Sequence, residues 1–79
     1  MLFEITDYIT SISKNEITFG EYPIQVNDLK QFNDIKNYDK DYQIQVFCKV
    51  NVNPINKHIF LTLDHWHATS YKKNSGFAF

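Results

Sequence analysis

Towards its C-terminal end the chain reads "LDHWHATSYKK", where the side chains with chemical reach are densest: Asp64, His65, Trp66 and His67 in succession. Imidazoles and a carboxylate can ligate zinc, and an indole can stack on a base, so two chemistries compete. Successive side chains on a strand alternate faces, so His65 and His67 share one face while Asp64 points to the other. His58 lies seven residues before His65, far along the same strand and in the opposite phase. Zinc requires three or four convergent ligands. The set is incomplete, so no metal or other cofactor is expected, and the two histidines read as rim residues beyond the point where the strand leaves the core at Leu63.

Nucleophilic chemistry is no better supplied. Cys48 is the single cysteine and sits between Val46 and Val50 in the inward phase of an alternating run, the place of a small buried hydrophobe. One cysteine excludes an intrachain disulfide and a cysteine-based zinc knuckle, and fits a reducing compartment. Ser11, Ser13, Ser70 and Ser75 have no G-x-S-x-G context. The two glycines, Gly20 and Gly76, lie too far apart for a phosphate-cradling loop. The carboxylates are scattered singly, without a close pair to split their pKa values. The expectation is a protein that binds without catalysis and is not an enzyme.

The whole-chain balance narrows what it binds. Eight lysines and no arginine stand against nine acidic residues, for a net charge of −1. Arginine is the usual bidentate reader of phosphate and guanine, so its absence weakens any case for tight, sequence-specific nucleic-acid binding. Aromatics are plentiful: seven Phe, five Tyr and one Trp, more than a small core hides, so some should mark a contact surface. The start "MLFEITDYIT" has no basic leader region, and no run approaches the roughly 20 apolar residues of a membrane span. A cytoplasmic protein is the expectation. At 79 residues there is room for one core, expected over residues 1–68, with 69–79 as a tail in which Tyr71, Phe77 and Phe79 fold back or meet a partner.

These side chains must be positioned by strands, because period-two alternation dominates. "LFEITDYITSIS" changes phase after Ile5, as a long strand with a bulge near Asp7 would. Lys14-Asn15 and Gly20-Glu21 punctuate the next two strands as tight turns. Pro23 cannot donate to a ladder and belongs at an edge or bulge. In "NDLKQFNDIKNYDKD", Asn27 or Asp28 caps a short helix with Leu29, Phe32 and Ile35 on one stripe. The fourth strand, "YQIQVFCKVNV", alternates throughout, and "HIFLTLDHW" is the fifth.

This order of three strands, a short helix and two strands, carried by "ISKNEITFGEYPIQVNDLKQFNDIKNYDKDYQIQVFCKVN", resembles the small oligonucleotide/oligosaccharide-binding (OB) fold. The likeness covers residues 2 to 66 and rests on element order; Tyr38-Asp39 stands where a Gly-Asp turn would be expected before the fourth strand. It implies a mainly β fold, a small five-stranded antiparallel barrel with one short helix between strands three and four. It also implies a first strand that bends to serve both halves of the barrel, and a ligand flanked by the loops between strands one and two and between four and five.

If Ile59, Leu61 and Leu63 face the core, then Phe60 and Trp66 face out, beside outward Phe47 and Lys49 on the neighbouring strand. Aromatic rings next to lysines make a sequence-tolerant platform for single-stranded nucleic acid. On that reading Phe47, Phe60 and Trp66 stack bases, Lys14, Lys49 and Lys57 neutralise phosphates, and Lys72 and Lys73 extend the track. The same aromatics would equally anchor a protein partner, with the lysines as a rim, or support a homodimer. In composition alone, the Lys/Asn/Ile-rich chain is similar to small phage or mobile-element proteins that occlude a host protein, as anti-restriction and anti-CRISPR inhibitors do.

Overall fold

The alternating runs fold into six strands in the computed structural model, which describes residues 1–72. They are β1 (Phe3–Asp7), β2 (Ile9–Ile12), β3 (Glu16–Phe19), β4 (Tyr22–Gln25), β5 (Tyr42–Val52) and β6 (Ile59–Lys72), with helix α1 (Leu29–Lys36) between β4 and β5. The expected long first strand is interrupted only at Tyr8, and its halves serve different partners. β1 pairs antiparallel with β5, through Ile5↔Val46 and Phe3↔Cys48, while β2 pairs antiparallel with β3. A register shift between Ile9 and Ser11 leaves Thr10 bulged, its hydroxyl donating to the Gly20 carbonyl at 2.9 Å. The extra residue adds local twist within β2.

The sheet order is β1-β5-β6-β4-β3-β2, so its first and last members are consecutive in the chain. The ends curl towards one another: the Phe3 ring on β1 meets Tyr22 on β4 edge to face, centroids 6.0 Å apart. The expectation of a five-stranded antiparallel barrel is corrected here. The sheet is open and mixed, with six strands and one parallel pair, β4 with β6, through Ile24↔Leu61 and Gln25↔Thr62. A parallel pair needs a crossover connection, and α1 with β5 supplies it. β6 also runs to Lys72, so residues 69–72, expected as the start of the tail and including Tyr71, extend the sheet. Phe77, Phe79 and Lys73 lie outside the described residues.

One face of the sheet and the inner stripe of the helix make the core: Ile5, Ile17, Phe19, Ile24, Val26, Ile44, Val46 and Cys48 with Phe32 and Ile35. Asp28 caps α1, its carboxylate accepting from the Lys30 and Gln31 amides at 2.8 and 3.2 Å, satisfying two of the helix's orphan donors. Leu29, expected on the same stripe, is 72% exposed because the helix dips into the core only from its second turn. Among the described residues no helix is long and apolar enough to cross a membrane.

Candidate functional site

The Trp66 side chain does not face outward. Across β5 and β6 the register runs Val50↔Leu61 and Cys48↔Leu63, then jumps to Phe47↔His65 and Val46↔Trp66. β6 therefore carries one extra residue, Asp64, between the two registers. An odd insertion reverses the phase of everything beyond it. Leu63 and Trp66 thus lie on the same, inner side. Trp66 packs against the core and its ring meets Tyr38 edge to face, centroids 5.8 Å apart. The single amide that marks the bulge is Gln31 of α1, which donates to the Asp64 carbonyl at 3.1 Å.

The same reversal brings His65 and His67 to the outer face beside Phe47. The Phe47 and His65 rings stack, with centroids 4.4 Å apart and planes 12° from parallel, and His67 stands edge-on to both. Asp64 accepts from His65 Nδ1 at 2.7 Å and faces Lys49 Nζ at 3.7 Å. The bond from His65, with the Lys49 charge behind it, holds the Asp64 carboxyl below the usual carboxylate range. Among the described residues no three His, Cys, Asp or Glu side chains converge as metal ligands.

The expected lysine track is dispersed. Lys49 is engaged by Asp64, and Lys14 sits at the β2–β3 turn beside α1, near Lys36. Lys57, in the left-handed conformation at φ 65°, closes the β5–β6 turn, where Asn53 accepts from its amide at 2.8 Å. Lys72 ends β6 at its opposite terminus, its ammonium 5.8 Å from the Tyr42 ring centroid. Phe60 is outward in phase, as expected, but Asn51 and Thr62, hydrogen-bonded at 3.0 Å, stand between it and the Phe47 cluster on the outer face. Phe47, Lys49, Phe60 and Trp66 therefore do not form one platform.

A cleft of about 450 Å³ lies instead where β4 and β6 splay apart. Their ladder begins only at Ile24↔Leu61, one residue after Pro23, which has no N–H to extend it. Tyr22 and Pro23 on one side and Ile59 and Phe60 on the other leave the opening, with Phe3 and Val50 completing an apolar lining and Glu16 its one charged member among the described residues. Val50 and Ile59 have inward phase yet are 53% and 70% exposed. The apolar alternation of β5 and β6 thus outlasts the core, which α1 covers at the Trp66 end alone. Sequence reasoning missed this site except for Phe60. Its signals were Pro23 inside a strand and inward positions continuing to Val52 and Ile59.

The one thiol offers no nucleophile: Cys48 is buried and its pKa is pushed up to about 11 by desolvation. No family model matches the chain, and no curated protein or solved structure matches it.

Proposed function

We propose that the chain is a non-catalytic binding module, an open and six-stranded relative of the OB fold, and that it holds an apolar segment of a protein in the cleft between β4 and β6. The cleft carries this reading: it is concave, lined by three aromatic rings and four aliphatic or proline side chains, and among the described residues no lysine lines it. An acid in an apolar wall disfavours phosphate and tolerates a peptide with a basic flank. The OB-like assignment draws support from the first strand, which serves β5 with one half and β3 with the other. It draws further support from the cleft's lining, which includes Glu16 just after the first hairpin's turn and Ile59 just after the β5–β6 turn.

The test is selection of extended hydrophobic peptides against the folded protein, followed by Ile59→Asp. Ile59 is exposed, so the substitution leaves the core in place. Peptides that bind at any salt concentration and lose about tenfold or more in affinity to Ile59→Asp support the reading. Binders indifferent to Ile59→Asp sink it.

Single-stranded nucleic acid is the second reading, favoured by the Phe47–His65 stack beside Lys49 on the outer sheet face. Its signature is anisotropy of a labelled oligonucleotide that rises at low salt, collapses as salt is added, and is weakened by Lys49→Glu. No rise at low salt removes it.

A further inference from the structure

We propose that the occupant of the cleft is the C-terminal segment, residues 73–79, of a second copy of this chain. The proposal rests on the protein-segment reading above and names the segment. Residues 73–79 read "KNSGFAF", so Phe77 and Phe79 are two apart and fall on one side of an extended chain. Phe3, Tyr22 and Phe60 line the cleft that would receive them, a setting in which rings pack offset or edge to face. Charge agrees as well. Lys72 and Lys73 precede the phenylalanines, and Glu16 is the charged group of the cleft wall, with Glu21 exposed next to Tyr22.

Reach decides which copy is served. β6 begins at the cleft with Ile59 and ends at Lys72, about 40 Å along the strand at roughly 3.3 Å per residue. Seven residues span at most about 25 Å, so the segment falls short of its own cleft. The cleft within its range is that of another molecule. Donor and acceptor are different surfaces, so the contact is head-to-tail; it closes when two copies exchange segments and grows into a chain when they do not.

Sedimentation velocity of the intact protein, from micromolar to near-millimolar concentration, tests this against two full-length variants. One is Phe77→Ser with Phe79→Ser, and the other is Ile59→Asp; circular dichroism establishes that each is folded. The expected result is concentration-dependent association of the parent and a monomer in each variant. Mixing the two variants should also fail to restore more than single donor–acceptor pairs. A parent that stays monomeric throughout overturns the proposal, as does association that survives either variant. A labelled KNSGFAF peptide added to the Phe77→Ser, Phe79→Ser protein gives a second readout, with binding expected and loss of about tenfold in the added Ile59→Asp background. Failure of this peptide while unrelated apolar peptides still bind at Ile59 overturns self-docking and leaves the protein-segment reading standing. Failure of all peptides removes both.

Discussion

The side-chain amide of Gln31 on α1 donates to the backbone carbonyl of Asp64 at 3.1 Å, and Asp64 is the residue by which β6 exceeds β5 across their bulge. A helix residue thus holds the point at which the longest strand changes phase, and the phase decides that Trp66 goes inward and His65 outward. Gln31→Ala leaves a part-buried carbonyl without this donor, which costs about 1–2 kcal/mol. Urea denaturation should show a lower midpoint with an unchanged slope. A midpoint equal to that of the parent would mean that water replaces the amide without loss.

Trp66 is a packing residue at the helix-covered end of the sheet, in edge contact with Tyr38. Trp66→Ala should therefore act on stability, by about 2–4 kcal/mol, since the site is partly rather than fully buried. Trp66→Phe should recover most of it. Parent Trp66 emission should be blue-shifted from that of a solvated indole and shift red on unfolding. A fully solvated spectrum in the native state contradicts the inward phase.

Asp64 gives a pH dependence with a definite sign. Its folded pKa is depressed, first by the hydrogen bond from His65 and then by the Lys49 charge. A depressed carboxylate contributes stability above its unfolded pKa of about 3.9 and loses it as pH falls through the folded value. The melting temperature of the parent should thus decline below about pH 4 in part through this group. Asp64→Asn should show a shallower decline there and a small loss at neutral pH, shrinking with added salt because the group is solvent-accessible. Superimposable pH profiles for the two proteins would remove Asp64 from the acid response.

Most of the elements were legible because they are written in local chemistry. Strict alternation from Tyr42 to Val52 predicts β5, and Asn27 or Asp28 ahead of Leu29, Phe32 and Ile35 predicts α1; the phase change after Ile5 predicts a bulge near Asp7 in one long strand, where the structure has two strands divided at Tyr8. The second bulge was not legible. "LTLDHWH" alternates well enough to read as one uninterrupted strand, and the extra residue is revealed only by the cross-strand partner and by Gln31, 33 positions away. One unseen residue therefore carried Trp66 to the wrong face and with it the anchor of the expected stacking platform. The parallel pairing of β4 with β6 is likewise a product of the crossover through α1 and β5, which no local pattern encodes. The cleft follows from that pairing meeting Pro23, so its parts were visible while their meeting was not.

Gly20 stands where the turn from β3 to β4 needs the left-handed region, at φ 64°. Its amide donates to the Tyr8 carbonyl at 2.9 Å, which ties the turn to the residue that divides β1 from β2. A Cβ at Gly20 would collide with the Asp7 carboxylate, whose other oxygen accepts from the Tyr8 amide at 2.7 Å, so swinging aside would strain that bond. Gly20→Ala should therefore cost about 2 kcal/mol or more, from backbone strain and the clash together. Adding Asp7→Ala separates the two: the double variant should regain the steric part and keep the strain, so its loss relative to Asp7→Ala alone falls to about 1 kcal/mol. Equal losses in both backgrounds would mean that the Asp7 contact contributes nothing and that strain alone sets the cost.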